Sequence, residues 1–349
     1  MIRIISILFL ILLIYSCKEQ NNSNKVSTNE SAVHAQFFDI INRKIGRPII
    51  RIYNPDDRSE VTDIDTDELK EIKIISLSAT TNGMLDQLNA TSTILGISNI
   101  NYIYSPSILR RHSIGKVTEF GFDSQISIEK VIQSGANIIL YSGFGDEFPG
   151  EQQLSKLGII AIPIYDWREE NALGKAEWIK LIGALIGKPK EASEYFEAVE
   201  AKYNDLISLK KDFGKKPIVL SGNMEGDQWW APGGNSFFAQ MIKDAGGEYL
   251  FKNTSENGSI GLTMEEILNN NISDIWINPG FPTKKEIVEN NSHCKRISSF
   301  DSIYCYSPNM NKYWEQAVVQ PHFLLEDLMA IFQPEIKGLN GNHFYSKIN

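Results

Sequence analysis

SIEKVIQSGANIILYSGF, residues 127–144, decides the fold, because its pattern returns as TMEEILNNNISDIWINPGF at residues 263–281. Each copy opens on a hydroxyl residue, Ser127 or Thr263, suited to cap a helix whose first turn carries a carboxylate, Glu129 or Glu265. An amphipathic helix follows, then an apolar run of strand length, then a Gly-Phe pair just past the strand, Gly143-Phe144 and Gly280-Phe281. Two copies of one helix-strand unit predict two α/β lobes of similar design.

The same rhythm fills both flanks. IKIISLS (72–78), TILGIS (93–98), NIILYSG (137–143) and IIAIPIYD (159–166) read as strands, with helices at 80–88, 127–135 and 151–158 between them. After Pro217 it restarts with strands at 217–223, 274–280 and 302–308 and helices at 236–247 and 263–270. Apolar strands separated by helices imply mostly parallel sheets covered on both faces. Between the halves, residues 187–214 place Tyr195, Phe196, Val199, Tyr203, Leu206, Ile207 and Leu209 at helical spacing, with Pro189 fitting the first turn and Gly214 the stop. A helix of about 24 residues would reach roughly 36 Å and join the lobes as a stiff rod. The predicted organisation is a leader (1–16), a tether (17–31), an N-terminal lobe (32–186), the linking helix (187–214), a C-terminal lobe (215–338) and a tail (339–349). Within the first lobe, residues 32–66 are expected to form a helix at 32–44 and then a β-hairpin around Pro55-Asp56-Asp57.

The chain has 349 residues, 42% hydrophobic and 22% charged, which suits two globular domains. Its formal charge of −9 argues against a partner as anionic as nucleic acid. MIRIISILFLILLIYS at 1–16 carries one positive charge, Arg3, and an apolar run too short to span a bilayer comfortably, so it reads as a secretory leader. It ends at Ser16-Cys17, which resembles the bacterial lipobox, where the cysteine is lipidated and becomes the mature N-terminus; Tyr15 is bulkier than that motif prefers. This predicts a lipid-anchored protein on the periplasmic or cell-surface face of a membrane, held by acyl chains on Cys17 through a polar tether. In such a compartment Cys294 and Cys305 either pair or remain thiols.

Ligands of open α/β sheets bind beyond the carboxyl ends of the strands, so loops at those ends would line a cleft between the lobes. They carry Tyr102 in NYIYSP, Phe122 in TEFGFDS, Trp167 and Arg168 in YDWRE, and Trp229 and Trp230 in GDQWWAPGGNS. Phe144, Phe281, Tyr313 and Trp314 belong to the same set. Aromatics on polar, turn-rich loops have little core to enter, and as a wall they suit a large, flat or partly apolar ligand. Arg168 is the expected partner for a negative group on it. The glycines of WWAPGGNS let backbone N–H groups approach a ligand, or else form a turn in which Ser236 caps the next helix.

Other motifs fail on spacing. Asp63-Ile64-Asp65-Thr66-Asp67 begins like a calcium loop but has Glu68 where glycine is required. GALIGK (183–188) lacks the Walker spacing, no GxSxG occurs, and His112, His293 and His322 are isolated. No cofactor motif is present.

EWIKLIGALIGKPKEASEYFEAVEAKY (177–203), WWAPGGNSFFAQMIKDAGGEYL (229–250), LTMEEIL (262–268) and LLEDLMAIFQPE (324–335) together resemble the substrate-binding proteins of ABC importers for iron complexes and vitamin B12. The resemblance covers about residues 48 to 338 and implies the class III periplasmic binding protein fold: two Rossmann-like lobes with mostly parallel sheets, joined by a single long α-helix. It implies a monomer that captures an iron-siderophore, haem or corrinoid, with Glu129 and Glu265 on the lobe tops meeting arginines of the permease. It also implies only small lobe movement on binding. This chain departs from iron-hydroxamate members, which use an arginine, in offering only Arg168 and Arg110 or Arg111. The alternative is a secreted α/β enzyme using the same cleft with Asp166, Glu169 or Asp227 as acid or base.

Overall fold

The computed structural model describes residues 30–123, 126–144, 148–211, 214–269, 273–297 and 301–348. The leader, Cys17 and the tether up to residue 29 lie outside the described residues.

The N-terminal lobe is built on a five-stranded, wholly parallel sheet. Its strands run in the order Thr118–Glu119, Ile94–Ile97, Ile74–Ser76, Ile138–Tyr141, Ile160–Pro163. Because side chains alternate across a strand, Ile74, Ile138 and Leu140 enter one core while Ile75, Ile139 and Tyr141 enter another on the opposite face. Burial on both faces is why these strands read as unbroken apolar runs.

The C-terminal lobe repeats the plan with Glu248–Tyr249, Ile218–Ser221, Ile275–Ile277 and Ile303–Cys305 in parallel. Ser346–Lys347 then closes the edge antiparallel to Ile303–Cys305. The expected tail is therefore part of this lobe. Buried Asp327 accepts the backbone N–H groups of His343, Phe344 and Tyr345 at 2.7–2.9 Å, and both aromatic rings are buried.

The repeated unit keeps its form in three dimensions. The helices Ile128–Ser134 and Met264–Asn269 precede the strands Ile138–Tyr141 and Ile275–Ile277, each beside the first strand of its lobe. Ser127 caps the first helix by accepting the Lys130 N–H. Thr263 and Glu266 form a reciprocal pair at the start of the second. Gly143 and Gly280 both take positive φ, 61° and 87°, turning the chain sharply past the strand.

The linking helix spans Pro189–Leu209, 21 residues or about 32 Å, and stops five residues before Gly214. Ala192, Phe196, Val199 and Tyr203 form its buried stripe. It packs on the helices Ala172–Leu185 and Pro321–Phe332, and Tyr203 and Tyr195 tie it to the C-terminal part through Asp244 and the Val319 carbonyl, each at 2.9 Å.

The helix expected at 32–44 is absent. Phe38–Ile41 is a strand in an antiparallel sheet with Glu30–Ser31, Ile49–Tyr53 and Glu60–Asp65, the last two forming the expected hairpin. Phe38 and Ile40 are buried while Asp39 and Ile41 are less so, so the alternation of a half-buried strand governs here. The sheet is pinned to the lobe by two buried carboxylates. Glu177 accepts the N–H groups of Val33, His34 and Ala35 at 2.7–3.0 Å, and Glu169 accepts that of Gln36.

Candidate functional site

In each lobe the strand order reverses between the first strand and the repeated one, and the crevice beyond their carboxyl ends is the site such sheets offer to ligands. In the N-terminal lobe that crevice is open. It is a cleft of about 680 Å³, with Ser78, Ser98, Asp123 and Ser142 at successive strand ends and Phe148 and Pro149 beside them. Its aromatic wall consists of Tyr102, Phe122 and Phe144 from this lobe and Trp314 from the other. These four rings are 44%, 51%, 75% and 45% exposed, too much apolar surface in one place for ordinary scatter. Tyr102 and Phe122 lie 6.0 Å apart, and Phe144 leans on Trp167 at 4.8 Å. Trp167 is fixed by donating its indole N–H to the Ser142 carbonyl at 2.7 Å. Asp123 accepts the Ser142 N–H, and burial raises its carboxyl above the usual range.

In the C-terminal lobe the matching crevice is filled. Trp229 and Trp276 are fully buried there, 5.4 Å apart, donating to the carbonyls of Ser221 and Gly222. Gly222, at φ 115°, leaves the room: a Cβ would run into the Trp229 indole and the Trp230 carbonyl. Trp229 comes from a small antiparallel sheet, Asn223–Glu225, Gln228–Pro232 and Ser259–Leu262, inserted over the lobe.

Trp314 reaches the cleft on the helix Met310–Gln316, which straps the lobes together. The next residue, Glu315, is buried and accepts the Tyr104 and Ser105 N–H groups of the N-terminal lobe at 2.7 and 2.9 Å. Burial drives its pKa up to about 7, outweighing those two bonds. Asn311 adds a bond to the Asn101 carbonyl at 2.7 Å. The helix fits closely because Gly83 lies against the Glu315 backbone, where a Cβ would collide.

Of the residues expected at the site, the cleft thus gathers Tyr102, Phe122, Phe144 and Trp314. Trp167 and Tyr313 line a smaller adjoining cavity of about 180 Å³ between the lobes. Trp229 is core, and its neighbour Trp230 points outward, 40% exposed, away from the cleft, because successive strand residues face opposite sides. Phe281 packs on the core, and buried Ser236 caps Phe237–Asp244 by accepting the Ala239 N–H. Arg168 does not stand free to meet a ligand: it pairs with Asp56 of the N-terminal hairpin at 2.5 Å. Sequence reasoning missed Asp123, Ser78, Ser98 and Ser142, whose only signal was their place at strand ends.

Glu129 and Glu265 are both exposed in first helical turns. A crossover helix runs back along its sheet, so its first turn lies at the carboxyl edge of the strands, the edge that bears the cleft. Of the residues of the enzymatic alternative, Asp166 and Glu169 share one buried turn and Asp227 stands apart from them. Glu169 serves the N-terminal sheet and Trp178, Asp227 lies in an exposed turn, and Asp166 is buried beside Lys175. Cys294 and Cys305 are separate buried thiols, and burial pushes Cys294 up to about 11. Among the described residues no group of three or more His, Cys, Asp or Glu is placed to hold a metal ion.

An α/β protein of two lobes about one long helix, with its crevice at the strand ends, has the architecture of a solute-binding protein. Residues 74–292 match the periplasmic binding protein family, and the chain belongs to it. Two relatives are uncharacterised lipoproteins of Methanocaldococcus jannaschii. One is 26% identical over 79% of this chain and 69% of its own length; the other is 24% identical over 75% and 70%. A periplasmic haem-binding protein from Pseudomonas aeruginosa has the same fold, with a TM-score of 0.63 at 15% identity over 80% of this chain and 99% of that one. One from Vibrio cholerae gives 0.58 at 15% identity, over 72% and 96%.

Proposed function

We propose that the protein captures a flat, largely apolar iron complex, haem foremost, and delivers it to an ABC permease. The observation that carries this reading is the convergence of Tyr102, Phe122, Phe144 and Trp314, all exposed, on one cleft. Its volume falls in the range of small-molecule sites. The ring faces suit a planar macrocycle, and Asp123 with the three serines offers polar groups to orient it. That two proteins of the same fold are named haem-binding supports the choice. Corrinoids and apolar siderophore complexes share the chemistry and rank behind haem. Glu129 and Glu265 are the docking carboxylates for the permease, and lipid on Cys17 holds the protein at the membrane outside the cytoplasm, consistent with its lipoprotein relatives.

The test is titration of the purified protein with haemin, cyanocobalamin and a ferric siderophore panel, following tryptophan fluorescence and, for haemin, the Soret band. Quenching by haemin with a saturable Soret shift is expected. Failure of every member of the panel to bind would remove this reading.

A further inference from the structure

Beneath the cleft, between the lobes, lies the second cavity. Its wall is mostly apolar, with Trp167, Phe237, Tyr313 and Trp314 contributing rings, residues such as Ala317 and Leu324 aliphatic surface, and Thr80 a hydroxyl. One charged residue lines it, Lys175. This lysine is 9% exposed, and its ammonium sits 4.4 Å from the centre of the Phe237 ring. Its counter-ion Asp166 is 4% exposed and 3.8 Å away, beyond hydrogen-bond reach. Asp166 Oδ2 makes no hydrogen bond among the described residues.

An ammonium carries three donors. Here the ammonium has a carboxylate oxygen at 3.8 Å and a ring face at 4.4 Å, both longer than an ordinary hydrogen bond. A buried charge held so loosely is costly unless something completes its shell. Burial accordingly pulls Lys175 down and pushes Asp166 up, against their mutual attraction. The ammonium, not the carboxylate, lines the cavity, so the group that completes it is an oxygen acceptor. The space of about 180 Å³ is close to that of engineered apolar cavities that take one benzene ring.

We propose that this cavity binds an aromatic carboxylate, its ring among Trp167, Phe237 and Tyr313 and its carboxylate on Lys175. The acid is either a free small molecule or an acidic arm of a larger ligand in the adjoining cleft, since Trp314 lines both spaces. The inference concerns this cavity alone and stands whether or not the cleft takes haem.

The probes are phenylacetate, phenylacetamide and benzylamine, titrated into the full chain with tryptophan fluorescence and saturation-transfer NMR as readouts. Phenylacetate is expected to bind at least tenfold more tightly than the amide, and benzylamine not to bind. Lys175→Met should abolish phenylacetate binding and Lys175→Arg retain it, which separates loss of the cation from loss of the fold. Asp166→Asn should tighten it by removing the nearby negative charge. Equal binding of acid and amide, preference for benzylamine, or no binding of phenylacetate to folded wild type would overturn the proposal. Where haemin binds the cleft, displacement of phenylacetate by haemin supports an arm of the cleft ligand, and joint occupancy supports a separate small acid.

Discussion

Two tryptophans of nearly equal exposure provide the sharpest test of the cleft. Trp314 is 45% exposed and lines it; Trp230 is 40% exposed and lies elsewhere. A tryptophan presents up to about 250 Å², so roughly 110 Å² of Trp314 is open to a ligand. At about 25 cal/mol per Å², complete coverage contributes ~2.8 kcal/mol, and a ligand against one face about half of that. Trp314→Ala should therefore weaken haemin binding between about 10- and 100-fold, whereas Trp230→Ala should leave it within about twofold. Both changes trim exposed rings, so circular dichroism and Tm would show whether the fold is kept. The measurement is a haemin titration of each variant by Soret absorbance. Equal losses, or a loss confined to Trp230→Ala, would refute the placement of the site.

Reversing Glu129 and Glu265 together to arginine should leave ligand affinity intact while uptake by cells carrying the cognate permease falls; a loss of affinity in the purified variant would instead mark them as structural. Glu315 has a folded pKa of about 7 against an ordinary 4.5, so its contribution to stability is full below pH 4.5 and declines as pH rises through 7. The protein should accordingly lose on the order of 3 kcal/mol from this group over that interval, and the pH dependence of Tm should flatten in Glu315→Gln but keep the similar slope owed to Glu169. Glu177→Ala strips the acceptors from three backbone N–H groups, each costing about 1–3 kcal/mol if left unpaired. Hydrogen exchange and limited proteolysis should then find residues 32–66 released while haemin binding persists.

The duplicated unit was legible because it is local: a cap, a helical stripe and an apolar run each obey short-range rules, and the structure keeps all three at 127–144 and 263–281. The errors came where tertiary pairing decides. Phe38-Asp39-Ile40-Ile41 is compatible with a helix until Ile49–Tyr53 lies beside it. Residues 339–349 have the composition of a tail until Asp327 gathers their N–H groups. Trp229 and Trp230 are adjacent and identical, and only the register of their strand against Ser259–Leu262 sends one into the core and the other to solvent. Arg168 looks free for a ligand because Asp56, its partner, is 112 positions away. Asp123 and the cleft serines are too ordinary to stand out in a sequence; their meaning comes from the ends of the strands that hold them.

The two lobes share a plan but not a task. Gly143 and Gly280 make the same turn at the same point, yet one turn sends Phe144 into an open cleft and the other leaves Phe281 on packed core. The difference follows from the inserted sheet, which drives Trp229 against Trp276 and fills the C-terminal crevice. The second lobe's share of the cleft wall is thereby displaced onto Met310–Gln316, where Trp314 faces the cleft and Glu315 holds the Tyr104 and Ser105 N–H groups of the first lobe. Adjacent residues on one short helix thus carry an exposed ring of the cleft wall and the carboxylate that joins the lobes. A rotation of the lobes large enough to open the cleft would have to break two bonds to a buried carboxylate and part the close contact at Gly83. Together with the linking helix packed on Ala172–Leu185 and Pro321–Phe332, this favours a cleft that is largely formed before the ligand arrives, with adjustment confined to the exposed rings of its wall.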